Sequence, residues 1–331
     1  MKQQAKSAIL KSRLLSLAGR CLPQRIAILK YHSVQDDLGR YLHSLGPGIV
    51  HSTAAFRAQM EVVAQRFNPV SLDDVSKFLK QGKRLPPRPV AITFDDGFLD
   101  NAEIAAPILD RLGIPAVFYI TVGPVETGGV PWFCRLRHAF ATTSKKKWFD
   151  SVASCERNMQ DPVDRKAAFS VASERCARTA GSALQQCVRT IERELEVDQL
   201  SDKLMMTWDH VRLLHKSGHI IGSHTVTHPN MAQVATSDLN RECVDSKAAL
   251  EEKLSAPITH FSYPSPILQP HWSEATVRAT ASAGYQVAVT STAGPVKHGN
   301  CVLSLQRVVV PSEAEELAWI LENSMLGRRF P

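Results

Sequence analysis

The sequence predicts an α/β fold, either a parallel β/α barrel or an open doubly wound sheet, with a helical insertion. Three observations carry that expectation. β-rich runs alternate with capped helical patterns along most of the 331 residues. One run, Val90-Ala91-Ile92-Thr93-Phe94, ends in Asp95-Asp96-Gly97 and leads into a helical pattern, so it does not turn into a hairpin partner. Residues 134–206 break the alternation: they show no strand signal and read as two or three helices, the clearest over 164–180 and 182–197.

The first strand covers 25–31 and stops at His32. A helix over 53–66 places Phe56, Met60 and Val63 on one face. Ser71 caps a second helix. Asp73 and Asp74 occupy its first turn, Lys77 and Lys80 its last, and Gly82 stops it, as the helix dipole favours. Pro86-Pro87-Arg88-Pro89 makes a stiff approach to the strand at 90. A helix over 102–112, closed by Gly113 and Pro115, and a strand over 116–121 complete a strand–helix–strand unit, which implies parallel pairing with a right-handed crossover. Further strands read at 220–223, 259–263, 286–291 and 305–310. Between them Thr207 caps a helix over 208–216, Ser237 one over 238–254, and Ser273 one over 274–283.

The composition, 44% hydrophobic and 21% charged, is that of a globular chain, and no apolar run reaches the roughly 18 residues of a membrane span. The net charge of +7 resides in residues 1–30, which hold Lys2, Lys6, Lys11, Arg13, Arg20, Arg25 and Lys30 and no acidic residue. The rest balances to zero, so no nucleic-acid partner is expected. Leu10, Leu14, Leu17 and Cys21 fall at helical spacing, making 1–24 a basic amphipathic segment. It reads either as a helix on an anionic membrane surface or as a cover for the domain with a solvated basic face. Its apolar run is too short for a signal peptide. The seven cysteines lack C-x-x-C spacing and read as reduced thiols. The expected location is therefore cytoplasmic, peripheral on the inner membrane if the basic segment meets lipid.

Four stretches end strands and carry groups suited to one site. Two adjacent carboxylates beside a buried strand raise each other's pKa unless a cation relieves them. Ser223-His224-Thr225-Val226-Thr227-His228-Pro229 spaces two imidazoles so that both can reach one ion. Phe261-Ser262-Tyr263-Pro264 and Tyr31-His32 close two more strands. In a barrel the carboxyl ends of strands converge on one face. Two histidines and one carboxylate leave open positions on a divalent ion, the layout of a catalytic centre and not of a closed structural one.

The order of these motifs resembles the polysaccharide deacetylase family, which includes NodB-type chitooligosaccharide deacetylases. Thr93-Phe94-Asp95-Asp96-Gly97 matches its first motif and Ser223 to Pro229 its second. The resemblance covers roughly 25–311, less the insertion. It implies a distorted, incomplete (β/α) barrel of TIM type, a deacetylase domain over 25–331 interrupted at about 134–206, and hydrolysis of N-acetyl groups on amino sugars. It assigns Asp96, His224 and His228 to a divalent metal, usually Zn2+ and sometimes Co2+ or Ni2+, and makes Asp95 the general base on the water at that metal. Tyr263, Pro264 and Ser265 would meet substrate, with the Ser265 N–H as the oxyanion donor. The substrate would be an N-acetylated polysaccharide, oligosaccharide or lipid-linked glycan of exopolysaccharide or lipopolysaccharide biosynthesis.

Two departures stand out. The third motif lacks the arginine that orients the base in many members, and no late Leu-x-x-His supplies a general acid. Arg307 is the candidate orienter. His32 is the candidate acid, because a subfamily with a Tyr-His first strand, including biofilm poly-N-acetylglucosamine deacetylases, resembles this arrangement. His271 and His298 are alternatives on loops. A hydrolase of another non-peptide C–N bond and a glycan-binding pseudoenzyme are the competing readings.

Overall fold

The computed structural model describes Lys6, Leu10, Ser12, Leu15 and residues 22–328 apart from Arg40, Leu42, Pro47, Ser201 and Asp202. Strand β1 (Arg25–Tyr31) lies where predicted. Strands β2 (Ser33–Gln35) and β3 (Val50–Ser52) pair beside it. Helix α1 (Thr53–Arg66) is capped by Ser52, whose side chain accepts from the Ala55 N–H, and buries Phe56, Met60 and Val63. After β4 (Asn68–Pro69), Ser71 caps α2 (Leu72–Gln81) and Gly82 ends it.

Strand β5 (Pro89–Phe94) is buried at every position. The helix predicted after it starts as a π-turn over Asn101–Ala105 and continues as α3 (Ala106–Leu112). There follow β6 (Ala116–Ile120), α4 (Val122–Thr127) and α5 (Trp132–Thr142).

The insertion departs from expectation. It contains an antiparallel hairpin, β7 (Lys147–Asp150) and β8 (Cys155–Asn158), before α6 (Pro162–Ala177) and α7 (Gly181–Glu194). Its buried side chains alternate over only four residues, Trp148 and Asp150 in and Lys147 and Phe149 out, too short a run to register as a period. Trp132, Leu136, Phe140, Trp148, Leu184 and Ile191 share a core separate from that of the barrel.

The chain returns through α8 (Trp208–Lys216), β9 (Ile220–Ser223) and α9 (Thr236–Leu254). Ser237 does not cap α9: the Leu239 N–H bonds to the Ala235 carbonyl, so the helix begins at Thr236. Strand β10 (His260–Ser262), α10 (Glu274–Ser282), β11 (Val287–Ala293), β12 (Val296–Lys297), β13 (Leu305–Val309) and α11 (Ala314–Met325) complete the chain, and Ser273 caps α10.

Seven strands pair in parallel in the order β1, β13, β11, β10, β9, β6, β5, and β5 pairs back to β1. The barrel is one strand short of eight, yet its ring of pairings closes. A register shift between Val289 and Ala293 distorts the β11–β13 seam. Alternation sorts each strand. Ile26, Ile28, Ala91, Val117 and Leu305 share an inner cluster with Leu72 and Val75 of α2. Leu29, Tyr31, Phe94 and Phe118 pack outward with Phe56 and Met60 of α1. The inner parity continues to Thr93 and Asp95 on β5 and to Arg307 on β13, so the barrel turns polar toward its carboxyl end.

The described residues of the basic segment lie against the domain. Leu10 is buried, its carbonyl accepts from Arg66, and Lys6 pairs with Glu316 at 2.7 Å. Leu14, Leu17 and Cys21 lie outside the described residues. The other six cysteines form no disulfide. Among the described residues, no helix is long and apolar enough to cross a membrane.

Candidate active site

The two adjacent carboxylates part company at the end of β5. Asp95 continues the strand, its N–H bonding to the Tyr31 carbonyl at 3.0 Å. Asp96 then takes φ +75° and Gly97 φ +86°, which swings the second carboxylate away from the first. Glycine suits the second position because it enters the left-handed region without strain.

Asp95 is clamped. Arg307 Nη1 donates to Oδ1 at 2.8 Å and Nη2 to Oδ2 at 2.6 Å, and Ser262 Oγ adds a bond to Oδ1 at 3.1 Å. The guanidinium is itself fixed by the Thr290 carbonyl and the Thr93 hydroxyl. Burial works to raise the Asp95 carboxyl, but the guanidinium together with His224 and His32 outweighs it and holds the group well below the usual carboxylate range. Arg307 thus sits where an orienter of Asp95 would have to be.

Asp96, His224 and His228 come together, with one ligand atom from each within 4.8 Å of the others. Asp96 Oδ1 is 3.4 Å from His224 Nε2 and 3.3 Å from His228 Nε2. His224 Nδ1 is 2.7 Å from the Ser262 carbonyl oxygen. A carbonyl can only accept, so Nδ1 carries the proton and Nε2 presents a lone pair toward the carboxylate. Two electron-rich atoms face each other there, and Asp96 Oδ1 is buried without a hydrogen-bond partner. A divalent cation resolves that conflict, and one carboxylate oxygen with two imidazole nitrogens is a donor set that suits zinc. Burial lowers the His228 pKa and so favours its neutral form, the form that can offer a lone pair to a cation.

The loop that carries the histidines is strained. Thr225 has φ +71° and His228 φ +58°, and such a φ is a genuine outlier for a β-branched residue. Its surroundings over-determine it. Glu242 accepts from the Val226 and Thr227 N–H groups at 2.7 and 2.9 Å and from the Thr227 hydroxyl. The Trp132 indole donates to the His228 carbonyl at 2.9 Å, and the Phe133 ring lies 4.8 Å from the His228 ring. The insertion therefore grips the second motif.

His32 faces the same cavity, its Nε2 3.9 Å from Asp95 Oδ2. Burial lowers its pKa to about 4, against the pull of the two carboxylates. Two residues that sequence reasoning passed over place it. Asn101 donates to the His32 carbonyl at 2.6 Å, and Asp100 accepts from Ser33 Oγ, the Val34 N–H, Gln35 and Asn101. Ser262 was missed as well. Its hydroxyl serves Asp95 and its carbonyl His224, yet a strand of three residues shows no period that would pick it out.

The third motif corrects part of the expectation. Tyr263 does not reach the site: its hydroxyl donates to the Leu303 carbonyl, its N–H to Val289, and its ring is buried on Phe261 and Trp272. Pro264 is buried, does not line the cavity and has no N–H to offer. Ser265 does line the cavity. His298 is exposed beside Phe78 of α2, away from the site, and His271 bonds Ser291 outside the cavity lining. The cavity measures about 330 Å³, and Trp132, Phe133, Phe169 and Ile267 give it an apolar wall beside the polar cluster.

Barrel and site together define a β/α-barrel hydrolase with its polar machinery at the carboxyl ends of the strands. The sequence profile of the polysaccharide deacetylases matches residues 82–288, and the chain belongs to that family. It is 20% identical over 289 residues to YxkH of Bacillus subtilis, assigned by name to the polysaccharide deacetylases, covering 87% of this chain and 72% of that one. The structure resembles the Streptococcus pyogenes deacetylase PplD in complex with acetate, with a TM-score of 0.62 and 18% identity over 92% of this chain and 99% of that one. It also resembles IcaB from Ammonifex degensii, with a TM-score of 0.58 and 17% identity over 90% and 97%. At these identities the likeness is one of fold.

Proposed function

We propose that the protein removes N-linked acetyl groups from amino sugars of a polysaccharide, oligosaccharide or lipid-linked glycan, using a divalent metal held by Asp96, His224 and His228. The observation that carries this reading is the pairing of two unlike carboxylates: Asp95 kept ionised by Arg307, and Asp96 offered without a partner to two imidazoles. When bound, the ion supplies Lewis-acid polarisation of the amide carbonyl and makes water easier to deprotonate.

The chain's own groups do the rest. Asp95 receives the proton of the attacking water. Its depressed pKa makes it too weak a base for unassisted water, which is why it works only beside the Asp96 set. Ser265 offers its N–H, which no hydrogen bond engages among the described residues, to the oxygen that gains charge. His32, neutral at pH 7 and with Nε2 3.9 Å from Asp95 Oδ2, takes up the proton that Asp95 receives from the water and passes it to the leaving nitrogen, returning to its neutral form.

Acetate release from N-acetylglucosamine oligosaccharides, with and without chelator, tests the proposal. The wild type should release acetate, and chelator or Asp95→Asn should abolish it. Equal release by Asp95→Asn overturns it, and glycan binding without release points to a pseudoenzyme. A membrane contact would fall to Lys2, Lys11, Arg13 and Arg20, outside the described residues, because Lys6 is engaged by Glu316. Deleting residues 2–22 and fractionating cells checks that part.

A further inference from the structure

One more charged side chain lines the cavity: Arg137, on α5 of the insertion. Its guanidinium carbon lies 5.1 Å from the centroid of the Phe169 ring. On its other side, Nη2 is 3.0 Å from where a Cβ would stand on Gly46, so the guanidinium rests against bare backbone. Among the described residues, no hydrogen bond or ion pair engages it. Its neighbours contrast. Arg135, on the same helix, is bidentate to Glu192 at 2.8 and 2.5 Å, and Arg157 donates twice to Asp150 Oδ2, at 3.1 and 2.8 Å. Those arginines hold the insertion together, whereas Arg137 is held in place with its donors free.

A guanidinium has five N–H donors in a planar fork that matches a carboxylate or phosphate. Half-buried beside an apolar wall, those donors have little to satisfy them except what enters the cavity. Neither carboxylate nearest the cavity pairs with Arg137: Asp95 is bound by Arg307, and Asp96 faces the two imidazoles. We infer that Arg137 binds an anionic substituent, a carboxylate or phosphate, on the N-acetylated sugar or its neighbour. The preferred substrate is an acidic glycan, and the insertion is the element that selects it. This rests on the deacetylase reading and narrows its substrate class.

Three oligosaccharides test it with the full-length protein and zinc: neutral N-acetylglucosamine tetramer, one carrying a neighbouring uronic acid, and one esterified as a 1-phosphate. The expected kcat/KM for at least one anionic substrate exceeds that for the neutral one by about tenfold or more, since charge-assisted bonds contribute about 1.5–3 kcal/mol. Whichever anion leads identifies the source. Arg137→Met should erase the preference by raising KM for the anionic substrate far more than for the neutral one, and Arg137→Lys should keep part of it. If Arg137 serves only to stack on Phe169, Arg137→Met lowers the melting temperature and leaves selectivity alone, which overturns the inference. Comparable kcat/KM for all three substrates with the wild type also overturns it, without need of any variant. Acetate from none of the three overturns the deacetylase reading itself.

Discussion

Replacing Arg307 by Met removes the counter-charge of a carboxylate that is 1% exposed. The wild-type pair is bidentate at 2.8 and 2.6 Å, and the guanidinium is also 1% exposed. Removing one partner of a buried pair costs about 3–5 kcal/mol, because the other is left as an uncompensated charge. At about 1.4 kcal/mol per unit, that raises the Asp95 pKa by roughly 2–4 units. The sign follows. In the wild type Asp95 is depressed, so its contribution to stability is complete above the unfolded carboxylate value and is lost as pH falls through the folded value. In Arg307→Met that shift carries the folded value up to or past the unfolded one, so the stabilising contribution is gone and any excess over the unfolded value is a loss that grows as pH rises through it. Two measurements follow: acid limbs of kcat/KM for both proteins, and melting temperatures of the metal-free proteins between pH 4 and 8. The variant's acid limb should move to higher pH, kcat/KM at pH 7 should drop by about 10²–10⁴-fold, and its melting deficit should widen with pH. An unmoved acid limb with a pH-independent deficit would show that Arg307 fills space and does not tune Asp95.

Zinc should raise the melting temperature of the wild type in proportion to its binding, and His228→Ala should abolish the shift, as read by thermal denaturation with and without chelator. His32→Gln should lower kcat by roughly 10²–10⁴-fold with KM little changed, whereas a pure binding role would raise KM instead. Asn101→Ala should destabilise the fold by about 1–3 kcal/mol in urea titration and slow turnover, because the His32 carbonyl loses a 2.6 Å bond. A stability loss with an unaltered rate would separate Asn101 from the site.

Most barrel strands and the positions of the Asp-Asp and His-x-x-x-His motifs were readable, because strand ends and helix caps leave local marks. What failed to show was non-local. Arg307 could be singled out as the orienter of Asp95 only through the arginine missing from the third motif; nothing local to it announces a contact across 212 residues, although both sit on the inward parity of their strands. Ring closure depends on β5 pairing with β1, a contact that alternation alone leaves undecided between a barrel and an open sheet. Adjacency to a motif does not imply exposure to the cavity: alternation through the end of β10 turns Ser262 inward and Tyr263, just beyond it, outward. The partner-less state of Arg137 is likewise a property of its surroundings in three dimensions.

The position of Arg307 on the last barrel strand has a consequence for biosynthesis. A ribosome adds about 5–20 residues per second, so Asp95 exists for about 10–40 s before its partner is made. Until then no nascent chain can bury that carboxylate cheaply, and the seam between β1 and β11 stays open. The same strand fills the gap and delivers the positive charge. A chain truncated before Arg307 therefore lacks both the closed wall and the guanidinium that fixes Asp95 in place, so an incomplete barrel carries no assembled site.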